Sequence, residues 1–187
     1  MSLSNTIKAH SENIAGAVSL LSSSSLVFTG DAQNMGAAAI FTAAELTLAR
    51  FGHKVEGYAA GAILFAAGDL TLAFSNSVQS GSALQMTLLA MTAAWGVGAL
   101  RYPFERTAKA MDSPGLQKIA DTLPAICGTA NLALRVPGIF SAIDSKKYII
   151  AGAITGWAVA DVLAGRLQEK TGAAYHWVKN KLSPSGP

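Results

Sequence analysis

Glu45, Asp69, Asn131, Arg135 and Asp161 each lie inside an otherwise apolar run of this chain. An ionisable group within a bilayer-length apolar segment is costly. Such groups face a bundle interior or an aqueous path, where they bind ions, relay protons or hold polar solutes. Asp69 sits in Phe65-Ala-Ala-Gly-Asp-Leu-Thr-Leu-Ala-Phe74, which nearly repeats the earlier Phe41-Thr-Ala-Ala-Glu-Leu-Thr-Leu-Ala-Arg50. The acids therefore read as candidate ligands for a proton, a cation or a hydrogen-bonding solute. Arg135 reads as the neutralising partner of a nearby acid, Asp69 or Asp121, because an unpaired buried charge is much costlier than a paired one. A purely structural reading stands beside this one. Asp69 could accept hydrogen bonds from Thr71, Thr129 or the serines of the first run. Glu45 and Asp161 lie five residues before Arg50 and Arg166 and could reach the interface.

The elements that must position these groups follow from composition. Of the 187 residues 51% are hydrophobic and only 13% charged, about half the roughly 25% charged residues of a soluble domain. The apolar residues are mostly small or aliphatic and are gathered into long runs. This is the profile of an all-α, polytopic integral membrane bundle, in which small residues let backbones approach closely. Period-2 alternation is absent, which argues against a membrane barrel.

Six transmembrane helices are expected over 13–30, 35–49, 57–74, 83–100, 116–140 and 148–167. A polar segment, 1–12, precedes this transmembrane domain (13–167), and an interfacial tail, 168–187, follows it. Serines 22–25 do not forbid the first span, since their hydroxyls can bond back to helix carbonyls. The rival reading of this run as a secretory signal peptide lacks a small-x-small cleavage site. The second run is the weakest: after a turn at 31–34 it must borrow residues from Ala32 and Phe51 to cross roughly 30 Å. The fourth run has no ionisable group and reads as structural or lipid-facing. Residues 101–109 mix basic and aromatic side chains and suit a loop or short helix at the membrane surface. In the fifth run Pro124 is expected to bend or start the helix near Thr122, and Pro137 to close it.

Basic residues orient the spans. With a cytoplasmic N-terminus, eleven of the 14 fall in inside segments: Lys8, Arg50, Lys54, Arg101, Arg106, Lys109, Lys118, Arg166, Lys170, Lys179 and Lys181. Only Lys146 and Lys147 fall outside. A bacterial inner-membrane protein with both termini cytoplasmic is the expectation. Local similarities suggest three helical hairpins descended from one unit. The first, third and fifth runs share marks ending at Asp31, Asp69 and Asn131. The second and sixth share an aromatic four residues before an acid and an arginine five after it. In transporters a working site lies between such repeats.

Enzyme chemistry is not expected. Cys127 is the only cysteine, and His10, His53 and His176 fall between the runs, so no metal site is expected. No Gly-x-Ser-x-Gly, His-Glu-x-x-His or phosphate-binding loop occurs, and no cofactor is implied. The net charge of +3 is dispersed between runs, which argues against nucleic acid. The expected partners are the lipid bilayer, a small solute or ion, and a second copy or another membrane subunit. Two functions compete. One is a small carrier or channel-like protein with a polar track in which Asp69 companions Asn131 and Arg135, and Glu45 companions Asp161. The other is a non-catalytic membrane subunit or scaffold that binds partner proteins or lipids through the glycine pairs Gly57/Gly61 and Gly152/Gly156.

Overall fold

The computed structural model describes residues 3–163, with the side chains of residues 3–10 and Glu12 left aside. The expected tail over 168–187, together with Arg166, Lys170, Lys179 and Lys181, lies outside the described residues, as do the side chains of Lys8 and His10. The protein is all-helical, with 86% helix and no strand among the described residues. Its helices are α1 (Leu3–Ser25), α2 (Ala32–Phe51), α3 (Val55–Ala73), α4 (Ala83–Ala99), α5 (Arg101–Ala110), α6 (Pro114–Asp144) and α7 (Tyr148–Leu163). A 3-10 turn, Leu26–Thr29, extends α1.

Six of these helices close into a ring in chain order. α1 packs on α2, α2 on α3, α3 on α4, α4 on α6, α6 on α7, and α7 returns to α1. Short connections make neighbours antiparallel. α5 stands apart, continuing α4 beyond the ring and packing on the first turns of α6. The break at Leu100 has a cause in Pro103, which has no N–H to donate to the carbonyl four residues back. The Leu100 amide is instead shared between the Gly96 and Val97 carbonyls.

Each outward face is apolar: Leu21, Phe28, Ile63, Phe74, Met86, Val136, Phe140 and Val162 are all exposed. Exposed apolar side chains spread around a whole bundle fit lipid better than water. By length and composition, α3, the continuous α4–α5 segment and α6 can cross a membrane. α2 has the length but falls short in hydropathy, and the apolar part of α1 and the described part of α7 are shorter.

The boundaries differ from expectation at α1, α2 and α6: α1 begins at Leu3, inside the polar segment expected to precede the first span. Helix α2 begins at Ala32, inside the expected turn, because Asp31 caps it by accepting from the Gln33 amide at 2.8 Å. It then covers the borrowed residues up to Phe51. Helix α6 begins at Pro114 under a Ser113 cap and absorbs both prolines, so Pro124 does not start it and Pro137 does not close it. Packing against α4, α5 and α7 holds the turns that flank each missing bond. Finally, the shared marks of the odd runs fall at different depths. Asp31 lies beyond α1, Asp69 one turn from the end of α3, and Asn131 deep within α6.

Glycines set how closely the ring closes. A Cβ on Gly68 would stand 2.6 Å from the Phe41 ring, and one on Gly156 would strike the Ser22 hydroxyl. Gly57 and Gly61 likewise face Phe51 and Leu48 across the α2–α3 hairpin. That pair is consumed inside the chain, whereas Gly152 faces open space.

Candidate functional site

The interior of the ring is crossed by a layer of aromatic rings contributed by four helices. Trp157 packs on Phe41 with ring centroids 4.6 Å apart, Phe41 lies 6.0 Å from Phe65, and Phe65 stacks on Trp95 at 4.5 Å. Large buried rings at one level exclude water from the axis of the bundle. The acids sit one turn to either side of this layer. α3 runs toward the 74–82 loop, so Asp69 lies on that loop's side of Phe65. α2 and α7 run the opposite way, so Glu45 and Asp161 lie on the α5 side of Phe41 and Trp157. Antiparallel packing thus puts the near-identical segments 65–74 and 41–50 on opposite sides of one barrier.

Arg135 links the two sides. Its Nη1 donates to Asp161 Oδ2 and to the Trp157 carbonyl, both at 2.6 Å. The Arg135 and Asp161 side chains are only 8% and 13% exposed. The expected partner of Arg135, Asp69 or Asp121, is therefore replaced by Asp161. The reason is register: Arg135 on α6 faces the last turns of the adjacent α7. Asp121 lies on the exposed start of α6 and accepts from Gln117 at 3.0 Å. Glu45 accepts a short hydrogen bond from Ser19 on α1.

Asp69 is the outlier. It is 1% exposed, and neither carboxylate oxygen has a hydrogen-bond partner. Thr71, one candidate donor, bonds back to the Ala67 carbonyl at 2.8 Å instead. Arg135 stands within electrostatic reach of Asp69, and its Nε is buried without a partner. Asn131, one turn away on α6, gives its Nδ2 to the Cys127 carbonyl at 3.0 Å and leaves its Oδ1 unpaired. A buried polar atom without a partner costs about 1–3 kcal/mol, and a charged one more. The structure thus brings Asp69 and Arg135 within reach, pairs Arg135 with Asp161, and sets Glu45 against Ser19 of α1.

Several functional contributors were not singled out from sequence. Ser23 is fully buried and accepts from Trp157 Nε1 at 3.0 Å, which fixes one end of the aromatic layer. Ser19 supports Glu45. Asn34, expected in a turn, is fully buried and donates to Thr29 Oγ1 at 2.9 Å and to Ser77 Oγ. The signal for the aromatic layer was present in the aromatic-to-acid spacing shared by α2 and α7. The serine contacts had no comparable signal.

These contacts also bear on the first run. α1 fills the gap between α2 and α7, so its removal would strip Glu45 of the Ser19 donor and Trp157 of its acceptor. Among the described residues, no group of three or more His, Cys, Asp or Glu side chains is arranged to hold a metal ion. Comparison of the chain with family models, curated proteins and solved structures finds no match.

Proposed function

We propose that the protein is a small integral membrane carrier or channel-like protein that moves a small cation, the proton included, along its ring axis. One observation carries the reading: Asp69 is buried in the ring with both oxygens unpartnered, beside a guanidinium already engaged by Asp161. Among the described residues, the buried Asp69 and the half-buried Glu45 and Asp161 stand against one buried cationic side chain, Arg135. A carboxylate kept from water without a partner recruits a cation or a proton. A surplus of interior acids therefore favours a cationic solute over an anionic one. The aromatic layer would act as the barrier between two access paths, with Asp69 on one side and Glu45 on the other.

The finer membrane arrangement belongs to this proposal. The six ring helices are six spans in a bacterial inner membrane. The α5 end is cytoplasmic, since Arg50, Lys54, Arg101, Arg106 and Lys109 gather there and only Lys146 and Lys147 lie opposite. The scaffold reading is weaker, because Gly57, Gly61 and Gly156 are used within the chain and Gly152 alone of that set is open. The test is dissipation of an imposed cation or proton gradient in proteoliposomes. Asp69→Asn should abolish flux while leaving the helical spectrum and detergent elution intact. Full flux in both Asp69→Asn and Glu45→Gln would end the proposal.

A further inference from the structure

At the end of the bundle opposite α5, three connections meet around an open cleft of about 250 Å³. Thr29 contributes from the 3-10 turn, Ser77 from the α3–α4 loop, Lys146 and Lys147 from the α6–α7 turn, and Tyr148 and Ile149 from the first turn of α7. We propose that this cleft binds a phosphate group, held by the ammonium groups of Lys146 and Lys147 and the hydroxyl of Ser77. It is separate from the interior acids and does not depend on their role.

The first support is backbone conformation. Lys146 has φ +58°, the left-handed region where L side chains are disfavoured. It occupies the helix-terminating position that glycine usually fills: its amide donates to the Ile143 carbonyl at 2.8 Å, and that of Lys147 to Ala142 at 2.7 Å. A lysine held where glycine would be easier turns the chain so that two successive lysines border one cleft.

The second support is charge. Among the described residues neither lysine has an ion-pair partner. Asp31 and Asp144, acids at this end, form no ion pair with them, and Asp31 is engaged in capping α2. Two adjacent unpaired ammonium groups match a phosphate, whose oxygens accept several charge-assisted hydrogen bonds.

The third support is the wall behind the lysines. Asn34 donates to both Thr29 Oγ1 and Ser77 Oγ. The Thr29 proton is already given to the Leu26 carbonyl at 2.8 Å, so Thr29 offers the cleft no donor. Ser77 accepts from Asn34 and lies 3.0 Å from Ser75 Oγ, so its own proton is directed to Ser75 or into the cleft. Ile149 and exposed Phe28 and Tyr148 carry apolar surface from the cleft to the outer face of the bundle. A phosphate there has room for an apolar extension toward lipid. The shared chemistry is the phosphate, and a phospholipid headgroup and a soluble phosphate are its two sources.

The test measures thermal stability and affinity of the full-length protein. The probes are inorganic phosphate, glycerol 3-phosphate, and nanodiscs of phosphatidylglycerol against nanodiscs of a neutral glycolipid doped with an equal charge of a non-phosphate anionic amphiphile. The variants are Lys146→Gly/Lys147→Gln and the single Lys146→Gly. The glycine suits the positive φ, so weakened binding in a variant that melts no lower than wild type cannot be misfolding. A response of wild type to the soluble phosphates, at least tenfold weaker in the double variant, supports a soluble ligand. A response to phosphatidylglycerol alone, lost likewise, supports a headgroup. No response to any probe, or equal affinity in wild type and double variant, overturns the proposal.

Discussion

Removing Arg135 should harm the protein more than removing its partner, and the difference can be worked from the contacts. At an effective dielectric of about 20, unit charges about 4 Å apart attract by about 4 kcal/mol. Arg135→Met deletes that attraction, strips a donor from the Trp157 carbonyl, and takes the Arg135 charge away from Asp161 and Asp69. Breaking a buried pair in this way costs about 3–5 kcal/mol. Asp161→Asn is milder. An amide oxygen can still accept from Nη1, and Arg135 keeps the Trp157 carbonyl, so a loss of about 1–2 kcal/mol is expected. In the double variant the second change removes a carboxylate whose Arg135 partner is already gone. Losses should therefore fall short of additivity by about 2–3 kcal/mol, at the upper end for directly contacting residues. Equilibrium unfolding in mixed micelles of mild detergent and dodecyl sulfate measures each term. Additivity within about 0.5 kcal/mol would refute the direct pairing of Arg135 with Asp161.

Two further outcomes follow from the packing of α7. Gly156→Leu drives a side chain into Ser22 and should lower stability by about 1–3 kcal/mol or more, whereas Gly152→Leu enters open space and should stay within about 0.5 kcal/mol; thermal melts of the two variants check this, and equal losses would contradict the close α1–α7 contact. Trp157→Phe keeps a ring against Phe41 but removes the hydrogen bond to Ser23, a loss of about 0.6–1.7 kcal/mol by the same unfolding titration.

The helices themselves were legible because their signal is local. Long apolar runs broken by charged loops gave the all-helical class and the positions of all six ring helices, and the mixed segment 101–109 became the short α5. What misled was punctuation. Proline reads as a helix stop, yet α6 passes through Pro124 and Pro137, because a helix flanked by others is held by more than its own ladder. The interior acids were found by the same local contrast of charge against apolar surroundings. Their partners were not, since partnership depends on which helices adjoin. α6 lies beside α7 in the ring, which gives Arg135 to Asp161 and leaves Asp69 bare. The unequal depths of Asp31, Asp69 and Asn131 show a further limit: a shared tetrapeptide pattern does not fix register along a helix.

The closure of the ring between α1 and α7 has a consequence for how the protein is made. Every other contact around the ring joins helices that follow one another or are separated only by α5, so each can form as the chain is synthesised. The seam cannot form that way. Until α7 emerges from the ribosome, Ser22 and Ser23 lie on an open flank, and the polar groups facing the ring interior lack that wall. Closure of the ring therefore waits for α7, and a nascent chain arrested before it would be the species most in need of a chaperone.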